Sequence, residues 1–199
     1  GFARDEQRVP DPGEIQAILA HIGMDRLEID VAQERLRKRD PELRLSLDSI
    51  AQGYTIGAMA QLLEDRGIHN YLAEIGGEMK VRGHKANGSA WRVAVEKPRP
   101  MIREVQRILE LQQEAGIAVM TSGTYRNYFE ADGKTYSHII DPRTGMPVNQ
   151  QLLSTTVLHE DPTLADAWST ALLCVGETEG LRIAEAEGLR ALFIHQDGD

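Results

Sequence analysis

No stretch of this 199-residue chain approaches the roughly 18 consecutive apolar residues that a membrane-spanning helix requires, and no signal-peptide pattern opens it. A mature fragment of an exported protein would read the same way. Cysteine is nearly absent: Cys174 stands alone, cannot close an internal disulfide, and sits in an apolar helical run as a small core residue. The six histidines, at 21, 69, 84, 138, 159 and 195, lack the spacing of a zinc site. Positive charge is scarce too, with 22 Lys and Arg against 31 Asp and Glu for a net charge of −9. The one basic run, RLRKRD at 35–40, reads as a solvated turn, so the footprint that phosphate-backbone binding demands is missing. Also absent are GxGxxG, GxxxxGKS/T and GxSxG, and a nucleotide bound here would be held by an arrangement of small loops.

What is present suits a single domain, and a chain of this length buries roughly 70% of its unfolded surface. It opens GFARDEQRVPDPG without an initiator methionine and stops at HQDGD just after a strand pattern, so a piece of a longer polypeptide is expected. Asp11-Pro12-Gly13-Glu14 reads as N-cap, N1 proline and N3 glutamate of a helix with Ile15, Ile18, Leu19 and Ile22 on one stripe, stopped by Gly23. RLEID (26–30) and LRLSL (43–47) read as strands joined by the polar segment 33–41. Asp48-Ser49-Ile50 opens a helix that runs to Gly67, with Ile50, Tyr54, Met59, Leu62 and Leu63 toward a core. Gly53 and Gly57 each cost that helix about 1 kcal/mol against alanine, which points to something approaching the backbone closely: either a ligand or a packed element.

NYLAEI (70–75) is a strand, and Gly76-Gly77 before EMKVRG marks a bulge or a close ligand approach. Asn87-Gly88 predicts a hairpin from EMKVRG to AWRVAVE, closed off by KPRP at 97–100, while 101–112 fits helix or strand equally. Residues 121–145 have the composition of a site. The apolar strand 117–120 is expected to empty into a loop at Thr121, Ser122 and Gly123, whose amides and hydroxyls can face an anion. Asp132-Gly133 predicts a hairpin that delivers His138, Ile140 and Asp141 to a sheet end beside that loop. A strand at 153–158, helices at 162–175 and 177–187 and a strand at 190–195 complete the chain. Helices and strands mix without βαβ alternation, which predicts an α+β fold with a mixed, largely antiparallel sheet and packed helices. In the 162–175 helix, Leu164, Trp168, Leu172 and Val175 form the expected apolar stripe, and Asp166 and Thr170, four residues apart, share another face. A carboxylate and a hydroxyl there are oxygen ligands of the kind Mg²⁺ takes; a surface aspartate beside a threonine bonded back to its helix is the plainer alternative.

Five segments, SIAQGY (49–54), IGGE (75–78), RG with WRVAVEKP (82–83 and 91–98), TSGTYRNYFEADGKTYSHIIDPRTGMPV (121–148) and ADAWSTALLCVG (165–176), resemble in order and spacing the ApbE-type FAD:protein FMN transferase family. The opening GF looks like the end of that family's Trp-Gly-Phe segment. The resemblance implies an ApbE-like, T-fold-like domain over 1–199, lacking the family's N-terminal third and C-terminal end. It implies an Mg²⁺-dependent transferase that moves FMN from FAD to a Thr or Ser hydroxyl of a target flavoprotein and releases AMP. Implied as metal ligands are the side chains of Asp166 and Thr170 with the carbonyl of Ser49; as FAD contacts, Ser46, Gln52, Gly76, Gly77, Thr121, Ser122 and Ile140; as proton acceptor, His138. Family members usually carry an acidic residue at Ser46, Lys or Glu at Gln52 and often Asp at Gly57. The acceptor would be a subunit of a membrane-associated respiratory or redox complex, with the enzyme a lipoprotein on the periplasmic side of a bacterial inner membrane. FAD hydrolysis to FMN and AMP, or flavin or partner binding without turnover, are the alternatives.

Overall fold

A computed structural model describes residues 8–98, 104–125, 127–131, 133–148 and 151–196. In chain order the elements are α1 (Pro12–Leu19), β1 (Leu27–Asp30), β2 (Arg35–Lys38), α2 (Ala51–Glu64), β3 (Tyr71–Ile75) and β4 (Glu78–Arg82). There follow β5 (Trp91–Glu96), β6 (Val105–Leu111), β7 (Ile117–Gly123), β8 (Tyr128–Ala131), β9 (Lys134–Ser137), β10 (Ile140–Asp141) and β11 (Met146–Pro147). Last come β12 (Leu152–His159), α3 (Pro162–Val175), α4 (Glu177–Ala186) and β13 (Arg190–His195). The chain divides into two compact units, one formed by 1–46 and 128–148, the other by 47–127 and 149–199.

The larger unit is built on a five-stranded antiparallel sheet ordered β13-β12-β7-β4-β3. Strand β7 is central and apolar from Ile117 to Met120 because both its faces are covered. Its alternate residues Ala118 and Met120 pack with Ile56 of α2, Val157 of β12, Ala165 and Leu172 of α3 and Ala184 of α4. Ile117 and Val119 point the other way, onto Val81 of β4, Val93 of β5 and Leu111 of β6. Helices therefore cover one face of the sheet and the β5–β6 ribbon the other.

Where helix ends carry strong caps, expectation and structure coincide. Asp11 caps α1 with the full capping box to Glu14, and Asp161 accepts from the Thr163 and Leu164 amides to start α3 at Pro162. Elsewhere the structure corrects the reading. Residues 48–50 form a turn and α2 begins at Ala51, with Ile50 as an N-cap that supplies no side-chain bond. Its buried face is Gly53, Ile56 and Ala60, whereas Tyr54 and Leu62 are exposed. Gly76-Gly77 is the two-residue turn of the β3–β4 hairpin, with Ile75 opposite Glu78 and φ of 62° and 104°, values that glycine alone adopts cheaply in a type I′-like turn. Asn87-Gly88 does make a turn, but the ribbon partner of β5 is β6, so 105–111 is strand; 99–103 lie outside the described residues.

The 43–47 segment is not a strand. The charged stretch expected to be a connection contains β2, which pairs with β1, and Glu28 faces Arg39 at 2.9 Å and Arg37 at 3.8 Å. Strand β2 is exposed along its whole length, so no hydrophobic alternation marks it. The hairpin read from Asp132-Gly133 is present as β8–β9, a two-stranded sheet of its own rather than an arm of the main one; Asp132 lies outside the described residues. His138 follows it, and β10 pairs with β11 to hold Ile140 opposite Pro147.

Helices α2 and α3 meet at Gly53. A Cβ there would lie 2.7 Å from the Asp166 Cβ and closer still to the Pro162 carbonyl oxygen, so the glycine is explained by a packed helix. At Gly57 the nearest atom to an added Cβ is Pro162 Cγ at 3.2 Å, the edge of a ring with some room to give. Gly53→Ala is expected to lower stability by about 1–3 kcal/mol despite the gain in helix propensity, and Gly57→Ala to stay within about 1 kcal/mol of the parent; urea denaturation midpoints of the two variants check this.

Candidate functional site

The end of β7 puts Thr121 and Ser122 on opposite faces of the sheet. The tripeptide expected as a loop is the last turn of pleat of that strand. Ser122 faces the helices, where its Oγ lies 2.8 Å from Ser169 Oγ and 2.8 Å from Thr170 Oγ1 of α3. Thr121 faces the other side. Its amide donates to the buried Glu78 carboxylate at 2.8 Å, and its hydroxyl pairs with Thr156 at 2.8 Å.

Asp166 departs from the expected stripe on α3. The helix buries Ala165, Asp166, Ser169, Leu172 and Leu173 against the sheet, while Leu164, expected in the apolar stripe, is 46% exposed. Asp166 is only 6% exposed, which rules out a solvated surface carboxylate. One of its oxygens accepts the Gly53 amide at 2.8 Å. The first intrahelical bond of α2 is Tyr54 N–H to the Ile50 carbonyl, so Gly53 stands at the third helical position and its amide has no partner inside the helix. Asp166 thus caps α2 from a different helix and leaves the Ser49 carbonyl outside the helical ladder. Burial pushes the Asp166 pKa up, and the amides of Gly53 and Gln52 pull it partly back down. No Lys or Arg of the described residues contributes. The threonine bonded back to its helix is in fact the serine beside it: Ser169 Oγ donates to the Asp166 carbonyl at 2.9 Å, whereas Thr170 reaches across to Ser122.

A buried carboxylate without a cation, a neighbouring threonine hydroxyl and a nearby backbone carbonyl form a donor set suited to a hard divalent ion. Among the described residues no group of three or more His, Cys, Asp or Glu gathers in metal-binding reach, so the positive charge would meet one carboxylate and neutral oxygens.

Gln52, at the same helix start, lies over the Gly76 turn: a Cβ on Gly76 would come within 2.8 Å of Gln52 Nε2. Gly76, Gly77 and Thr121 line a cavity of about 560 Å³ in the larger unit, together with Glu74, Glu78, Glu96 and Tyr125. In the smaller unit His138 and Ile140 line a separate, mostly apolar cavity of about 410 Å³ with Ile15, Leu19, Phe129, Tyr136 and Met146. Ser46 belongs to that unit and is exposed. Ser49, Gln52, Gly76, Gly77, Thr121, Ser122, Asp166 and Thr170 all belong to the larger one. Sequence reasoning missed Ser169 and Glu78. For Ser169 a signal existed, since residues 166, 169 and 170 share one helical face at i, i+3 and i+4.

The ApbE family model matches residues 1–193. The chain is 42% identical to the FAD:protein FMN transferase of Vibrio cholerae, over 96% of this chain and 56% of that protein. It is 36% identical to the FAD:protein FMN transferase of Escherichia coli, over 100% of this chain and 57% of that one. Among solved structures, the flavin transferase ApbE from Vibrio cholerae superposes with a TM-score of 0.84 at 39% identity, covering 97% of this chain and 60% of that one. The ApbE protein of Thermotoga maritima gives 0.85 at 30% identity, covering 96% and 61%. The chain spans a little over half the length of these curated relatives.

Because Asp166 loses hydration on folding, its folded-state pKa lies above the unfolded one, and the ionised form costs stability above the folded value. That cost fades as pH falls through the folded-state pKa and is gone below the ordinary carboxylate range. In EDTA, Asp166→Asn is expected to raise the melting temperature at pH 7.5 and to change it far less at pH 3.5; calorimetric scans at the two pH values check this.

Proposed function

Since the chain belongs to the ApbE family, we propose that it is the metal-binding and nucleotide-binding part of an Mg²⁺-dependent FAD:protein FMN transferase. The reaction moves FMN from FAD to a Thr or Ser hydroxyl of a target flavoprotein and releases AMP. The observation that carries the metal reading is the buried Asp166 carboxylate, capped by the Gly53 amide, beside Thr170 and without a cationic partner among the described residues. Asp166, the Thr170 hydroxyl and the Ser49 carbonyl would hold Mg²⁺, which when bound neutralises charge on the pyrophosphate as a Lewis acid.

The chain's own groups divide the remaining work. Gly53 and Gln52 hold the carboxylate in place through their amides, so it needs no reorganisation when charge develops. Gly76 and Gly77 expose a turn backbone with no side chain to block a nucleotide, and Gln52 and Thr121 flank it. The acceptor hydroxyl oxygen bonds to the FMN phosphorus, the bond from that phosphorus to the AMP oxygen breaks, and the hydroxyl proton passes to His138. A neutral imidazole nitrogen carries the lone pair that such a transfer needs. Ile140, 42% exposed in the apolar cavity wall beside His138, offers the surface for the flavin ring, and Ser46 belongs to the same unit. A lipid-anchored place on the periplasmic side of the inner membrane, and an acceptor in a membrane-associated respiratory or redox complex, form part of this proposal and rest on family membership.

Incubating the protein with FAD, Mg²⁺ and an acceptor protein is expected to add one FMN to the acceptor and release equimolar AMP, read by intact mass and nucleotide chromatography. Asp166→Ala or EDTA should abolish both products, and His138→Ala should slow labelling by about 10²–10⁴-fold. Labelling that persists in EDTA and in Asp166→Ala would overturn the metal assignment; AMP and free FMN with no labelled acceptor would overturn the transferase in favour of a hydrolase.

A further inference from the structure

We infer that Ser169 and Ser122 form a one-directional hydroxyl relay that orients the Thr170 hydroxyl as a donor toward β7, leaving its oxygen lone pairs for a divalent cation. The inference rests on the Mg²⁺ reading above. A hydroxyl has one proton to give and two lone pairs to accept with, so the order follows from counting protons. Ser169, wholly buried, gives its proton to the Asp166 carbonyl at 2.9 Å. In the 2.8 Å contact between Ser169 and Ser122, Ser122 must therefore be the donor. Having spent its proton, Ser122 can only accept in its 2.8 Å contact with Thr170, so Thr170 donates. Thr155, the cross-strand partner of Ser122, does not intervene, because its buried hydroxyl makes no hydrogen bond among the described residues.

The relay therefore runs Thr170 to Ser122 to Ser169 to the Asp166 carbonyl, and it starts and ends on the residues proposed to hold the metal. A threonine free of it would rotate and give its proton back to a carbonyl one turn earlier. Held by Ser122, the Thr170 oxygen keeps its proton pointed at the strand, and a cation approaching it meets lone pairs only. Ser122 and Ser169 are thus positioning residues that act through Thr170. Ser122, which the family resemblance places on the nucleotide wall, has its hydroxyl engaged on the helix side of the sheet.

The test is Mn²⁺ binding, followed by electron paramagnetic resonance as the ion is titrated into the protein with excess FAD. Ser169→Ala and Ser122→Ala are each expected to weaken Mn²⁺ binding by about 10–100-fold, with far-UV circular dichroism like that of the parent. In a Thr170→Val background, Ser169→Ala should produce no further loss, because the group it acts through is gone. Unchanged Mn²⁺ affinity in both serine variants, or an undiminished loss in the Thr170→Val background, would overturn the relay while leaving the metal site standing. A parent protein that binds no Mn²⁺ would overturn the metal reading and the relay together. If Ser169→Ala fails to fold, Ser122→Ala at the end of the strand carries the same comparison.

Discussion

The first turn of α2 has no cap of its own, and the rest of the larger unit is arranged around how that deficit is met. Ile50 supplies no side-chain bond, so the amide of Gly53 is answered by the carboxylate of Asp166 from α3. A negative group at a helix N-terminus is favourable both as a hydrogen-bond acceptor and through the helix dipole, and these gains offset part of what the carboxylate loses in hydration. It requires the two helices to approach so closely that Gly53 has no room for a Cβ. It also requires α3 to turn a carboxylate inward, which its apolar neighbours Ala165, Leu172 and Leu173 make possible by anchoring the helix to the sheet. The result is a dehydrated carboxylate that amides satisfy only in part, with no Lys or Arg among the described residues shifting its pKa, and so with unused capacity for positive charge.

The same sheet end serves two faces. Because side chains alternate along β7, Ser122 joins the hydroxyls of α3 while Thr121, one residue earlier, joins Glu78 and the cavity beneath the Gly76-Gly77 turn. Gln52 and Gly53 link the two: one lies over the turn and the other holds Asp166. Under the function proposed above, a pyrophosphate-bearing ligand would need both a cation site and an open backbone turn, and a single strand end with one helix start would offer them from adjacent residues.

Much of this was legible in the chain. The starts of α1 and α3 followed from Asp11-Pro12 and Asp161-Pro162, because caps act locally and leave a local mark, whereas α1 ends at Leu19, short of the stop expected at Gly23. That Asp166 and Thr170 share a helical face followed from their spacing of four. What stayed hidden depended on partners distant in sequence. Strand β2 has no buried face and so no alternation to read. Gly53 resembled a ligand-contact glycine as much as a packing one until α3 was seen against it. The burial of Asp166 and Ser169 was masked by the more apolar stripe through Leu164, since a helix that buries its polar face around a site breaks the rule by which core faces are recognised.

The most direct measurement is anomalous diffraction from crystals of the protein soaked with Mn²⁺ and FAD. A single strong peak in coordination contact with the Asp166 carboxylate and Thr170 Oγ1, and adjoining the pyrophosphate, is the predicted result. A pyrophosphate bound with its manganese elsewhere, and Asp166 touching only the Gly53 and Gln52 amides, would show that the carboxylate is a helix cap and nothing more.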